Sequence, residues 1–246
     1  MSRQPRRPLR AEATVDDPSA RRRRAHAWAP PPRRQVRRAL EGLAGRFPPQ
    51  SRTWNDGPWR TLVGTILSQR TRDEATGKAT RQLFAHFPDV ISLAAASPQR
   101  IEALIRPVGF YRTKAKTLIA VAQVVQERFD GEVPSTMEEL LSLPGVGRKT
   151  ANCVLCYGFG AEALAVDTHV HRIANRIGWV RTTTPEETEQ ALLELVPRDW
   201  WMLTNDLLVN FGQQICKPVG WRCAECPIYD ECRFDGRKPR DPIAVE

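Results

Sequence analysis

The chain has 246 residues, of which 41% are hydrophobic and 26% are charged, and its formal net charge is +9. A chain of this length and hydrophobic content can bury a core, which excludes a wholly disordered protein. No apolar run of signal-peptide length follows the basic start, and no stretch reaches the ~18 apolar residues of a membrane span. The sequence therefore predicts a soluble cytoplasmic protein with no membrane partner.

The positive charge is concentrated at the amino terminus. Residues 1–38 hold twelve arginines and three acids, a net of +9, and the 25 basic and 25 acidic residues that follow cancel. The prolines and the arginine block at 21–24 cannot bury enough apolar surface to fold, which predicts a disordered basic tail over residues 1–32. Such a tail is either a salt-sensitive tether for phosphates or a dispensable extension. Its acids and prolines spoil the amphipathic pattern of a transit peptide, so organelle targeting is not expected.

Helical periodicity dominates the rest of the chain. Apolar residues recur at helical spacing in three stretches: Leu62, Ile66 and Leu67; Leu118, Val121, Ala122 and Val125; and Leu192, Leu193 and Val196. The last stretch follows Thr184 and Pro185, which read as a helix N-cap with proline at the first helical position. Prolines separate the segments, and strand signals are nearly absent. The pattern predicts an all-α fold of many helices with short connections.

A glycine-rich turn carries the first chemical signal. Residues 143–151 read Leu-Pro-Gly-Val-Gly-Arg-Lys-Thr-Ala and lie between two helical segments. A Pro-Gly-x-Gly turn lets two helices meet tightly and leaves the backbone N–H groups of Gly145 and Gly147 facing outward. Most such turns only connect helices. Here Arg148 and Lys149 add positive charge, and this combination favours a contact with a DNA phosphate.

Lys149 and a downstream acid have two interpretations each. Taken alone, Lys149 is one more solvated lysine. At the first turn of a helix, however, the dipole disfavours its positive charge and so favours the free amine, which can form a Schiff base. Asp167, in the segment 166–171, either caps the following helix or offers a carboxylate to developing positive charge, and it can do both. His169 and His171 point to different sides of a helix, so they are assigned to packing or hydrogen bonding and not to metal.

The cysteines carry the second chemical signal. Four of the six fall within 17 residues at the spacing C-x6-C-x2-C-x5-C, namely Cys216, Cys223, Cys226 and Cys232. Structural zinc usually takes its ligands from two similar CxxC pairs, and only one is present here, so a cubane iron-sulfur cluster suits the loop at least as well as zinc. Two disulfides would be expected only in a secreted chain. The apolar neighbours of Cys153 and Cys156 indicate core positions.

Together these motifs resemble the endonuclease III family of helix-hairpin-helix DNA glycosylases, over about residues 33–232. The hairpin at 143–152 resembles the family segment with the catalytic lysine, and Val-Asp-Thr-His at 166–169 resembles the segment with the catalytic aspartate. The cysteine spacing resembles that of the family's four-iron four-sulfur cluster loop. The sequence Ile-Leu-Ser-Gln-Arg-Thr-Arg-Asp at 66–73 resembles the family's LS-x-Q-x-x-D segment, which implies a helix end that faces the lesion.

The LS-x-Q-x-x-D segment departs from the family pattern in one respect. Counting along residues 67–73 places Arg70, and not Gln69, where the family has its glutamine. Either residue could fill the gap left by an everted base, since an arginine head can also stack and donate hydrogen bonds to the unpaired base.

The resemblance implies a fold and a function. It implies two helical domains, one at 50–160 with the hairpin and one at 33–49 plus 161–236 with the cluster. The implied enzyme is a bifunctional DNA glycosylase and AP lyase of base excision repair, which removes oxidised pyrimidines from double-stranded DNA and nicks abasic sites by β-elimination. Lys149 would attack C1′ and Asp167 would stabilise the developing positive charge. One 4Fe-4S cluster on the four cysteines, a monomer and a place at the nucleoid are implied as well.

Two other classes of protein remain open. An adenine- or thymine-mismatch glycosylase belongs to the same superfamily, but adenine-specific members generally lack a lysine in the hairpin and carry a further C-terminal domain. The other is a non-enzymatic iron-sulfur module for DNA binding or electron transfer, and a pure electron carrier would need neither the lysine nor the hairpin. Lys149 therefore favours the bifunctional enzyme.

Overall fold

The computed structural model describes residues 28–48 and 57–239. Over these residues the regular secondary structure is helical and contains no strand, which confirms the all-α prediction. The α-helices in chain order are α1 (Arg33–Arg46), α2 (Gly57–Ser68), α3 (Asp73–His86), α4 (Val90–Ala94), α5 (Pro98–Leu104), α6 (Tyr111–Arg128), α7 (Met137–Leu141), α8 (Arg148–Cys153), α9 (Thr168–Arg176), α10 (Pro185–Leu195) and α11 (Trp201–Gln214). A π-helix at Val154–Gly158 continues α8, and 3-10 turns lie at Arg198–Trp200 and Cys223–Glu225. Within the described ranges, none of the helices is long and apolar enough to cross a membrane.

Side-chain caps fix where several of these helices begin. The hydroxyl of Thr184 accepts the backbone N–H of Glu187, whose carboxylate returns to the Thr184 backbone, and Pro185 occupies the first turn as predicted. Asp89 forms a similar reciprocal pair with Ser92 at the start of α4. Each such cap stabilises its helix by about 1 kcal/mol.

The first hydrophobic cluster is built by helices α2 to α8. Helices α2 and α6 supply its centre, with buried side chains at Leu62, Val63, Ile66 and Leu67 and at Leu118, Val121, Ala122 and Val125. These are the stripes that helical periodicity predicted, because residues three and four apart share one helix face. The turn between α2 and α3 is consequently held against the start of α6.

The second cluster combines α1 with the C-terminal helices α9 to α11. Val36, Leu40 and Leu43 of α1 pack in the same buried set as Trp179 and Phe211. Two of the four clustered cysteines, which follow α11, are buried in this set as well. A helix near the start of the chain therefore completes the core that supports the cysteine loop.

The two clusters draw on different parts of the sequence. The described residues from position 31 to 239 nevertheless group as one compact unit, and the division into domains at 50–160 and at 33–49 plus 161–236 stays a prediction. The predicted disordered tail over 1–32 lies outside the described residues up to position 27.

Candidate active site

The predicted hairpin consists of α7, α8 and the turn between them. Gly145 in this turn has a φ of +72°, and a Cβ added there would lie 2.7 Å from Cγ2 of Thr117 on α6. Both observations require glycine, because other residues are strained at this φ and any side chain would push against α6. Gly147 is the N-cap residue of α8. The buried Val146 anchors the turn, while both glycines stay exposed.

Lys149 lies in the first turn of α8 and lines two neighbouring cavities. One cavity, of about 540 Å³, is lined by residues of α2, α3, α8 and the π-helix. The other, of about 470 Å³, is lined by Lys149 together with Asp167. Thr65 and Ser68 of α2 line both cavities as well. Lys149 therefore stands where the two cavities meet.

Asp167 is the N-cap residue of α9, as the sequence predicted. Its Oδ1 atom accepts the backbone N–H groups of His169 and Val170, both at 2.8 Å. Both bonds end on the same oxygen, and no donor from the described part of the chain is bonded to Oδ2. The carboxylate is thus fixed in place by the helix end while one oxygen remains available to the cavity.

Gln69 follows α2 and contacts the hairpin directly. Its Nε2 donates to Thr150 Oγ1 at 3.3 Å and to Gly145 O at 3.4 Å. These bonds are long, so they hold the side chain only weakly. Gln69 and Arg70 both line the 470 Å³ cavity. The structure therefore brings both candidates for the gap-filling residue to the cavity that Lys149 lines.

Arg70 and Phe110 form an exposed pair beside this cavity. The guanidinium carbon of Arg70 lies 5.9 Å from the ring centroid of Phe110, which is 63% exposed. Both residues have a positive φ, 52° and 57°, a conformation that costs of order 1 kcal/mol for each and that concentrates at functional sites. Sequence reasoning missed Phe110, since a lone aromatic after a glycine has no distinctive spacing.

Arg148 is engaged within the protein. Its guanidinium binds the carboxylate of Glu189 on α10, with Nη2 to Oε1 at 2.6 Å and Nε to Oε2 at 3.2 Å. Glu189 is only 5% exposed, and its hydrogen bond raises the pKa of Arg148. A buried carboxylate needs such a partner. The positive charge predicted beside the glycine turn is therefore balanced by Glu189, which the sequence pattern did not reveal.

The four clustered cysteines line one small cavity together with apolar residues that include Phe211 and Trp221. All six cysteines are free thiols, so the disulfide alternative is not realised. Burial raises the pKa of the Cys226 thiol to about 12 and also raises the pKa of Cys232. Over residues 28–48 and 57–239, no group of three or more His, Cys, Asp or Glu side chains is arranged to hold a metal ion. Four thiols on one apolar cavity remain the donor type that iron-sulfur clusters use.

The remaining singled-out residues lie where the sequence predicted. Cys153 and Cys156 are 3% and 1% exposed, in the core. The ring of His171 lies 2.6 Å from the hydroxyl of Thr188, and that of His169 lies 3.3 Å from an arginine of its own helix. Hydrogen bonding accounts for both histidines.

Known proteins are similar to this chain in sequence and in fold. Residues 63–198 match the family described as HhH-GPD superfamily base excision DNA repair protein. The chain is 48% identical to endonuclease III of Thermotoga maritima over 201 residues, which cover 82% of this chain and 93% of the relative. It is 43% identical to endonuclease III-like protein 1 of Bos taurus, a match that covers 68% of this chain and 56% of the relative. The chain thus spans little more than half of the bovine relative.

Solved structures agree with the sequence matches. A trapped endonuclease III–DNA covalent intermediate superposes with a TM-score of 0.75 at 34% identity, covering 82% of this chain and 95% of that one. A thermostable thymine-DNA glycosylase, at a TM-score of 0.71 and 24% identity, shares the fold. The chain therefore belongs to the HhH-GPD superfamily of base excision DNA repair proteins. Within it, the chain is an endonuclease III homologue, a DNA glycosylase with AP lyase activity.

Proposed function

We propose that this enzyme removes oxidised pyrimidines from double-stranded DNA, with Lys149 as the nucleophile and Asp167 as its electrostatic partner, and that it nicks abasic sites. The observation that carries the proposal is that both residues line one cavity of about 470 Å³ from the first turns of two different helices. This volume is typical of small-molecule sites. A base inside a duplex is hidden, so the damaged nucleotide has to rotate out of the stack into such a cavity.

The chemistry follows from the two side chains. The Lys149 amine attacks C1′ of the everted nucleotide while the bond to the base breaks, and the base leaves with the electron pair and takes up a proton. Asp167 stabilises the positive charge that develops on the sugar, and its two backbone hydrogen bonds hold the carboxylate in place so that it need not reorganise. The nitrogen then loses its protons and forms a double bond to C1′ as the C1′–O4′ bond opens and O4′ takes up a proton, and the resulting Schiff base acidifies the 2′ hydrogen. Loss of that proton expels the 3′ phosphate, and water then releases the lysine.

Contacts to the DNA divide between backbone and side chains. The exposed N–H groups of Gly145 and Gly147 suit a phosphate oxygen, and the Arg148–Glu189 pair supports the helix behind them. Arg70 is favoured over Gln69 for filling the gap, because it stands at the position that the family pattern gives to its glutamine. Phe110, exposed next to Arg70, offers a face on which a neighbouring base can stack.

We further propose that Cys216, Cys223, Cys226 and Cys232 hold one 4Fe-4S cluster. The shared cavity and the apolar residues around it support this assignment. Such a cluster supplies a rigid cross-link for the loop after α11 and takes no part in the reaction at the lesion. Cys226→Ala is expected to lose iron and the yellow-brown colour, whereas Cys153→Ala, a matched loss of a buried thiol elsewhere, is expected to keep both. One zinc and no iron in the purified protein would contradict the assignment.

Borohydride trapping tests the reaction. The protein is incubated with a duplex that carries a single thymine glycol, and borohydride reduces any Schiff base to a permanent bond between enzyme and DNA. A shifted band on a denaturing gel is expected for the wild-type protein, and none for an undamaged duplex. Release of a mismatched adenine or thymine with no trapped product would point instead to a mismatch glycosylase. Binding without excision of any base would point to a non-enzymatic module.

A further inference from the structure

Lys114 of α6 is buried, with only 6% of its surface exposed. A lysine is rarely buried unless its amine is fully bonded. Its Nζ donates to Leu67 O at 2.8 Å, to Thr71 Oγ1 at 3.0 Å and to Gln69 O. An ammonium group has three donors, and here each one has an acceptor.

All three acceptors belong to residues 67–71, the turn between α2 and α3. Leu67 lies in the last turn of α2, where carbonyls lack helical partners and carry the negative end of the helix dipole. The Thr71 hydroxyl also accepts the backbone N–H of Gly109 at 3.2 Å, and a Cβ at Gly109 would lie 3.0 Å from Arg70 O. The amine therefore ties this turn, which contains Arg70, to the beginning of α6, whose N-cap residue is Phe110.

We infer that Lys114 is a positioning residue for lesion recognition, which fixes the turn at 67–71 so that Gln69 and Arg70 face the gap left by an everted base. The inference rests on the proposed function. Gln69 has only long bonds to the hairpin, at 3.3 and 3.4 Å, so the three bonds of the lysine and the Gly109–Thr71 bond hold the turn in place. Burial lowers the pKa of Lys114 to about 8, which leaves the amine charged at neutral pH with all three donors present. An apolar side chain would fill the same space without the cost of desolvating a charge. The benefit of a lysine here is therefore the three hydrogen bonds that its ammonium group donates.

If Lys114 has this role, its substitution should affect the reaction only on DNA that has a second strand. A gap opposite an orphan base exists only in a duplex, because a single strand has no partner base to leave unpaired. A loosened turn at 67–71 should therefore weaken recognition of a duplex lesion. It should not affect attack of Lys149 on an abasic site in a single strand, since that substrate presents no gap.

The test compares Lys114→Met with Lys116→Met. Methionine keeps the apolar stem and removes the three donors, and Lys116 is an exposed lysine on the same helix whose replacement removes the same charge. For a duplex with one thymine glycol, Lys114→Met is expected to raise KM about tenfold or more, the usual effect of losing charged hydrogen bonds, with kcat within about threefold of wild type. Cleavage of a single-stranded abasic oligonucleotide is expected to stay within about twofold. Lys116→Met should match wild type on both substrates.

The outcomes separate the two hypotheses. An equal loss on duplex and single strand, or an unchanged KM on the duplex, would overturn the positioning role. A wild-type protein that cleaves neither substrate would instead refute the proposed function. If thermal melting shows that Lys114→Met does not fold, Thr71→Val removes one of the three acceptors, together with the acceptor of the Gly109 N–H, and leaves the lysine in place. It is expected to raise the duplex KM about threefold with single-strand cleavage intact, and no change in that KM would equally overturn the inference.

Discussion

The proposed nucleophile and its proposed partner stand at the starts of two helices, but they are held in opposite ways. Asp167 has one carboxylate oxygen bonded to two backbone N–H groups at 2.8 Å. The Lys149 amine has no hydrogen-bond partner among residues 28–48 and 57–239. A group that stabilises charge gains from being fixed in advance, whereas a nucleophile has to travel to the carbon it attacks. The difference predicts how each residue responds to substitution.

The largest effect is expected at Lys149. Lys149→Gln removes the nucleophile from a side chain whose amine has no hydrogen-bond partner among the described residues, so base excision and strand nicking should be abolished while duplex affinity and melting temperature stay near wild type. Gel-based nicking and fluorescence anisotropy measure the two quantities. Lys116→Gln is the charge-matched control. Nicking that survives in the purified variant would end the assignment of Lys149.

A smaller loss is expected at Asp167. Asp167→Asn keeps an oxygen that can cap α9 and removes only the charge, so turnover should fall about a hundredfold, or about 2.7 kcal/mol of transition-state stabilisation. Stability should change by less than the roughly 1 kcal/mol of a lost cap. The control is Asp89→Asn, an N-cap aspartate of α4. A large drop in melting temperature with a matching loss of binding would show that Asp167 is only a structural cap.

A substitution at Gly145 tests whether the hairpin turn holds Lys149 in place. Gly145→Ala adds a Cβ both at a φ of +72° and 2.7 Å from Thr117, whereas Gly131→Ala adds one at a φ of +84° with nothing within 4 Å. Both variants lose about 1 kcal/mol to backbone strain, and only Gly145→Ala should lose a further ~1–3 kcal/mol to the clash. Duplex affinity should fall about tenfold in Gly145→Ala alone. Equal denaturant midpoints for the two variants would exclude the clash.

Arg148 is expected to contribute little to DNA binding. Because Glu189 already balances its charge, Arg148→Met should lower the melting temperature by leaving Glu189 without its partner, but the folded variant should bind duplex within about threefold of wild type and with the same salt dependence. Loss of a side chain that does contact a phosphate lowers the slope of log Kd against log salt by about one. A slope that falls equally in Arg148→Met would show that Arg148 exchanges Glu189 for a phosphate in the complex.

Local sequence was sufficient where a local rule decides the structure. Asp167 and Thr184 were predicted as caps because a cap depends on the few residues that follow it, and the stripes of α2 and α6 were predicted because helix geometry fixes which positions share a face. Gly145 and Gly147 were identified for the same reason, since a turn is a short-range feature.

Contacts between residues that are far apart in the sequence could not be predicted from local patterns. Glu189 reaches Arg148 from 41 residues away and Lys114 reaches Leu67 from 47 residues away, and each would pass in the sequence for an ordinary solvated charge. The packing of α1 with α11 joins parts of the chain more than 150 residues apart, and apolar periodicity specifies that a face is buried but not against which partner. The sequence thus predicted the residues proposed to react, but it did not predict the distant residues that hold the site in place.

The π-helix at Val154–Gly158 lies between Lys149 and Asp167, and the number of residues in this segment matters as much as their identity. A π-turn accommodates about one residue more than an α-turn, and each residue of an α-helix advances the direction of the next side chain by about 100°. Gly158, whose added Cβ would lie 2.7 Å from Pro58 Cα, marks where this wider turn presses on α2. Deleting one residue here would leave a perfectly regular helix and a chain of nearly identical hydropathy. Everything downstream would nevertheless leave the helix in a different direction, so insertions and deletions in these five residues should be far less tolerated than substitutions.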